Sequence, residues 1–200
     1  MRLVVKGGWS TPTLSVFSGA CVSVLSGRGS TTKGRTTRKE VLVPNDNAVV
    51  LTSDALLNHW QGHRRVTRRM IEAFPDDKLF TYSVGGMRTF GELAMEMLTM
   101  GVPMVRGAIT GEWENNRDRG PRPRAELLRL WDEATTQLDE LWPQIPAERF
   151  QETIKAFGQW PGKTYDLIMY VIDNEIHHRG QGYVYLRALD IEPPAFYDRS

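Results

Sequence analysis

The 200-residue chain has one cysteine, four histidines and no excess of either charge sign, and each scarcity excludes something. A lone Cys21 rules out an intrachain disulfide and a cysteine-based zinc knuckle, and it favours a reducing compartment. Twenty-five basic residues against 24 acidic ones leave a net charge of +1, which gives no charge argument for nucleic acid. No apolar run approaches the roughly 20 residues of a membrane span. There is no P-loop, no strand-borne G-x-G-x-x-G and no nucleophile elbow. Hydrophobic residues at 40% and charged residues at 24% are ordinary globular usage, so collagen, coiled-coil and wholly disordered classes are also excluded.

The balanced total conceals an asymmetry. Residues 1–40 hold seven bases (Arg2, Lys6, Arg28, Lys33, Arg35, Arg38, Lys39) and one acid, Glu40, whereas the remainder holds 18 bases and 23 acids. Residues 1–45 are rich in Ser, Thr and Gly and read as a poorly ordered basic tail. Residues 14–25 resemble a signal core only weakly, because serines and a glycine dilute them. The expected organisation is a tail over 1–45 and one domain over 46–200, in a cytoplasmic protein. The acidic body argues against phosphate tracking.

From Leu51 onward the apolar spacing is helical. Thr52-Ser53-Asp54 offers an N-cap, and Leu56, Trp60, Val66, Met70 and Phe74 follow on one face until Pro75. Thr89 opens a second helix on Phe90, Leu93, Ala94, Met97, Leu98, Met104, Val105 and Ala108, which Pro103 should bend. A third helix runs from about Arg124 to Trp142 on Leu127, Trp131, Ala134, Leu138 and Leu141, and Pro143 stops it. Residues 143–163, broken by Pro146, Gly158, Pro161 and Gly162, read as irregular, with at most a short turn or strand near 150–157. A fourth helix runs from about Thr164 to Leu189 on Leu167, Val171, His178, Tyr185 and Leu189. Four helices with one apolar stripe each bury those stripes most simply as an all-α four-helix bundle with an irregular N-terminal tail.

Candidate chemistry sits on those stripes. On helix four, Asn174, His178 and Gln181 share the core-facing side; on helix one His63 lies on the line Leu56–Trp60–His63–Thr67–Met70; on helix two Glu96 sits at the edge of the apolar face. Three helices thus direct a potential metal ligand inward, the way bundle cores build metal sites. The competing reading is structural: a lone core histidine is usually a hydrogen-bonded packing residue, and an edge glutamate usually finds an arginine or water. Asn174 is also a poor ligand beside imidazole or carboxylate. His59 and His177 read as boundary residues or outer hydrogen-bond donors. Arg179 is expected to reach a carboxylate or the surface.

The stretch Asn174-Glu175-Ile176-His177-His178-Arg179-Gly180-Gln181, continuing to Pro193-Pro194, resembles the last helix of the DinB/YfiT-like family. Residues Thr89 to Met97 resemble that family's second helix, and the likeness spans about 50–199. The resemblance implies an up-down-down-up four-helix bundle, often a homodimer. It also implies a divalent metal, zinc or nickel, held by one histidine from helix two and an H-x₃-H pair on helix four. This chain departs at two of three positions, with Glu96 and Asn174 in place of histidines and only His178 retained. Glutamate replaces imidazole readily in three-ligand sites. His63 could restore the set by joining Glu96 and His178, and an oxygen-richer set tilts preference toward Mn²⁺ or Fe²⁺. The alternative is a degenerate, empty site with Glu96 hydrogen-bonded to His178 or His63.

Three functions compete. The resemblance implies a metalloenzyme, a thiol S-transferase in stress or detoxification in which a low-molecular-weight thiol binds the metal as thiolate. The second is a non-catalytic dimeric bundle that binds a small ligand or partner. The third, DNA binding, has only the basic tail behind it, because the body is acidic and shows no recognition helix.

Overall fold

The structure, a computed structural model, describes residues 49–114 and 118–200. The expected tail and Cys21 lie outside them. Helix α1 spans Ser53–Ala73, and the Thr52 hydroxyl accepts from the Ala55 amide at 3.1 Å, which satisfies one of the open donors of its first turn. Pro75 ends it and starts α2, a single turn over Asp76–Leu79 inside what the sequence presents as a loop. Helix α3 spans Phe90–Thr110 behind a reciprocal capping box of Thr89 and Glu92, and it closes on Gly111 at φ 78°, the left-handed conformation that glycine adopts without a Cβ penalty. It runs through Pro103 as one helix. Helix α4 spans Arg124–Leu141. Two short 3₁₀ segments, Trp142–Gln144 and Ala147–Gln151, lead into an antiparallel hairpin of β1, Thr153–Ala156, and β2, Trp160–Lys163. Helix α5, Thr164–Ala188, follows directly.

Among the described residues the hairpin is the one β element in a helical body. Its turn places Phe157 at φ 51° and Gly158 at φ 68°, and Pro161 pairs opposite Lys155. A proline is tolerated there because a two-stranded ribbon has only edge strands.

Helix α1 packs on α4 and α5, and α3 packs on the same two helices. Side-chain pairs give the directions. Gln61 meets Asp139, Arg64 meets Thr135 and Arg68 meets Asp132, so α1 and α4 run opposite ways. Trp60 reaches Glu175, Thr67 meets Arg179 and Met70 lies against Gly182, so α1 and α5 run the same way. Of the expected stripes, Leu56, Trp60, Val66 and Met70 on α1, Phe74 at its C-terminal end, and Leu127, Trp131, Ala134 and Leu138 on α4 are buried, and Leu141 is half-buried. Helix α5 buries a second face as well, through Ile168, Ile172, Glu175, Arg179 and Leu186, because it has α1 on one side and α3 on the other.

The apolar core is divided. One cluster gathers Leu56, Trp60, Val105, Leu138, Trp142 and Ile168. The other gathers Met70, Phe74, Phe90, Leu93, Trp131 and Tyr185. On α1 and α5 the residues between them are polar and buried: His63, Arg64, Thr67, Glu175, His178 and Arg179. Among the described residues no helix is long and apolar enough to cross a membrane.

Candidate functional site

Helices α3 and α5 bring Glu96, Asn174 and His178 together. His178 Nε2 lies 3.1 Å from Glu96 Oε1. The Asn174 side-chain nitrogen lies 3.3 Å from that oxygen and 3.2 Å from His178 Nε2. The three atoms form a nearly equilateral triangle. Gln181, one turn further along α5, sets the imidazole: its Oε1 is 3.2 Å from His178 Nδ1, while its nitrogen faces His177 Nε2 at 3.3 Å. A neutral imidazole has one N–H. With that N–H on Nε2 the ring donates to Glu96, and with it on Nδ1 the ring donates to Gln181 and leaves an Nε2 lone pair beside the carboxylate.

The second carboxylate oxygen is already occupied. Glu96 Oε2 accepts from Arg88 and, at 2.9 Å, from Arg119, and Arg88 also comes within 3.5 Å of His178 Nε2. Burial works against ionising Glu96, but hydrogen bonds from Arg88 and His178, the Arg88 charge and the Asn174 amide outweigh it and hold the carboxyl down at about 2. Asn174 Oδ1 is buried without a hydrogen-bond partner among the described residues. Rotating that amide by 180° replaces the nitrogen at the third vertex by oxygen without changing the side chain's shape.

His63 does not join this triangle. Its Nδ1 accepts from Arg179 at 2.8 Å, and its Nε2 lies 3.2 Å from His59 Nε2. Burial, then the charges of Arg179, Arg199 and His59, push its pKa down to about 3, so the ring is neutral. Among the described residues no three His, Cys, Asp or Glu side chains are grouped as a metal would need; of the four expected residues, Glu96, His178 and Asn174 come together and His63 lies apart from them. The reason is the neighbouring helix. The His63 stripe of α1 faces the α5 side that carries Arg179, whereas Asn174 and His178 face α3. Arg179 is buried rather than exposed and binds the His63 carbonyl and the Thr67 hydroxyl, both at 3.1 Å, with Glu175 Oε1 at 3.8 Å.

A family model described as the DinB family matches residues 45–200. The chain belongs to the DinB family. The protein YjoA of Bacillus subtilis, described as uncharacterized, is 22% identical over 151 residues, which is 74% of this chain and 97% of YjoA. Two solved structures share the fold. A DinB-like protein from Bacillus cereus ATCC 10987 superposes with a TM-score of 0.61 at 20% identity, covering 72% of this chain and 97% of that one. The B. subtilis DinB-like protein YjoA gives 0.58 at 23% identity, covering 72% and 99%.

Within this DinB-family frame the donor set passes a size test. Three ligands each about 2.1 Å from one ion stand about 3.0–3.4 Å apart, and the triangle's edges are 3.1, 3.2 and 3.3 Å. His178 also has the outer partner that metal-bound imidazoles use, through Nδ1 and Gln181. Sequence periodicity missed Arg88 and Arg119, which come from segments outside the long helices, and it missed Glu175, which α5 buries on its second face. Glu175 was visible only as a carboxylate four residues before Arg179.

Proposed function

We propose that this DinB-family chain is a divalent-metal-binding protein in which Glu96 Oε1, His178 Nε2 and the amide oxygen of Asn174 hold the ion. The observation that carries the reading is the metal-sized triangle of those three side chains, with His178 Nε2 3.1 Å from a carboxylate oxygen. The donor set suits Zn²⁺ or Ni²⁺ less well than three imidazoles do, and Mn²⁺ and Fe²⁺ gain as oxygen replaces nitrogen. A bound ion supplies a Lewis-acid position at which a low-molecular-weight thiol is held as thiolate, the basis for thiol S-transfer in stress or detoxification. The protein's own residues do the remaining work. Gln181 orients His178, Arg88 and Arg119 keep Glu96 ionised, and His177, exposed beside Gln181, is placed to hold or pass a proton. No cysteine occurs in residues 49–200, so the nucleophilic sulfur comes from a cosubstrate. The bundle is up-down-down-up, in keeping with the helix pairings described above, and it is assembled as a homodimer.

A specific observation favours a second reading. Arg88 and Arg119 already place two positive charges on Glu96, which a dication must accommodate. In that reading the arginines replace the metal, and the chain is a non-catalytic binding bundle with a degenerate site.

Elemental analysis of untagged protein, followed by calorimetric titration with Zn²⁺, Ni²⁺ and Mn²⁺, separates the two. Metal binding predicts about one ion per chain and its loss in His178→Ala. It also predicts at least about tenfold tighter Zn²⁺ in Asn174→His, which exchanges an amide for imidazole. Heat-silent titrations of both wild type and Asn174→His leave the second reading.

A further inference from the structure

A cavity lies along the same two helices as the triangle, one to two turns away toward the hairpin. Met100 and Met104 follow Glu96 by one and two helical turns, and Tyr170 and Asp166 precede Asn174 by the same steps. These four residues and the hairpin enclose a cavity of about 500 Å³, within the range of small-molecule sites. Its walls are the thioethers of Met100 and Met104, the Leu167 side chain, and the aromatic rings of Phe157, Trp160 and Tyr170. Asp166 is the one charged residue in the lining, and it is exposed with no ion-pair partner among the described residues. Trp160 and Tyr170 keep 62% and 60% of their surface exposed, so the mouth presents aromatic faces beside an unpaired carboxylate.

Phe157 adds an independent observation. It stands at φ 51°, where glycine or asparagine is expected and a bulky side chain is an outlier. Outliers that persist cluster at ligand clamps. The position turns the Phe157 ring into the cavity wall, where it packs on Trp113 with centroids 5.0 Å apart.

We propose that this groove binds an elongated organic cation, an ammonium or guanidinium carried on an alkyl or aryl body. Asp166 neutralises the cationic head, and the Trp160 and Tyr170 rings hold it through their negative faces. The apolar body lies along Met100 and Met104, with its far end directed along α3 and α5 toward Glu96 and His178, which lie outside the cavity lining. Asp166 and Asn174 are eight residues apart on α5, about 12 Å along the axis, which fixes the separation of the cationic head from the reacting end. The groove is dipolar, with a carboxylate at the hairpin end and Arg88 and Arg119 at the other. Only the placement of the reacting end rests on the metal-site reading; binding of the cation does not.

The test is a calorimetric titration of chelator-treated full-length protein with 4-phenylbutylamine, 4-phenylbutanol and 4-phenylbutyrate. Chelation keeps the result independent of the elemental analysis. The amine should bind about tenfold more tightly than the alcohol, from one exposed ion pair plus cation–π contact, with the carboxylate weakest. Asp166→Asn should bring the amine down to the alcohol's affinity while leaving the alcohol unchanged. Trp160→Ala should weaken the amine more than the alcohol. Equal binding of amine and alcohol by wild type, preference for the carboxylate, or no saturable binding of any of the three would overturn the proposal.

Discussion

His63 is a neutral imidazole 4% exposed, and its neutrality has a pH signature. Its folded pKa of about 3 lies below the 6.5 of a free imidazole, so below pH 6.5 the unfolded chain binds a proton that the folded chain does not. This contribution to stability is complete above the unfolded value and is lost as pH falls from about 6.5 toward 3. The limiting slope is about 1.4 kcal/mol per pH unit for one proton. Urea unfolding between pH 7 and 4 should show stability falling with pH in wild type and falling less steeply in His63→Gln. Parallel profiles would mean that His63 is not the group responsible. The same residue shows where sequence reading stops at this scale. Helical spacing placed Glu96, Asn174, His178 and His63 on inward faces, and all four are inward. Spacing says which way a side chain points along its own helix, not which residue of the next helix meets it. Arg179, four residues after Glu175 and adjacent to His178, takes the direction from which His63 would have approached the carboxylate.

At the scale of elements, two glycines of α5 two residues apart behave oppositely. A Cβ on Gly182 would collide with the Phe90 ring and lie 3.1 Å from Met70 Cε, whereas a Cβ on Gly180 would meet nothing within 4 Å. Gly180→Ala should therefore stabilise the protein by roughly 0.5–1 kcal/mol through helix propensity. Gly182→Ala should destabilise it by about 1–3 kcal/mol, because Phe90 and Met70 sit in a packed core with no slack. Denaturant midpoints moving in opposite directions for the two variants check the packing of α5 on α3. The start of α3 offers a further test. Thr89→Ala removes the hydroxyl that accepts from the Glu92 amide, leaving the Thr89 N–H to Glu92 half of the capping box, and should cost about 1 kcal/mol by the same measurement.

The long helices were legible because each carries a 3.6-residue stripe and a stop at or near Pro or Gly, with a threonine N-cap as well on α1 and α3: the spans expected from about Thr164 to Leu189 and from Arg124 to Trp142 match Thr164–Ala188 and Arg124–Leu141 within a residue. The hairpin was not. Its strands are four residues each: β1 alternates for only two inward residues, Ile154 and Ala156, and β2 (Trp160-Pro161-Gly162-Lys163) has no apolar alternation at all, so the signal is too short to read. Its turn carries Phe157 in a conformation that sequence assigns to glycine. The one-turn α2 was missed for a similar reason, since four residues after a proline leave no period.

For the whole molecule, the two apolar clusters and the polar layer between them are built within residues 49–200, and the family match begins at residue 45. Each buried charge in that layer finds its partners there. Arg64 bonds the Trp131 carbonyl at 3.1 Å and the Thr135 hydroxyl at 2.8 Å and stacks over the Trp131 ring at 4.1 Å. Glu175 accepts from Thr67 at 2.6 Å and from Trp60 at 3.2 Å. A chain of residues 46–200 should therefore fold with a Tm within about 3 °C of the full chain, since 1 kcal/mol in a body of this size corresponds to roughly 2–4 °C. It should also change in charge. Residues 1–40 hold seven bases and one acid, and 41–45 hold neither, so their removal leaves 18 bases against 23 acids. Any salt-sensitive retention of the full chain on DNA should then vanish, because a net acidic body has no counterion-release term to contribute. Thermal unfolding and a fluorescence anisotropy titration at 50 and 200 mM salt read the two effects separately. A fall of many degrees in Tm would show that residues 1–45 are part of the folded body. Retained salt-dependent DNA affinity in the 46–200 chain would instead locate a nucleic-acid surface on the helices themselves.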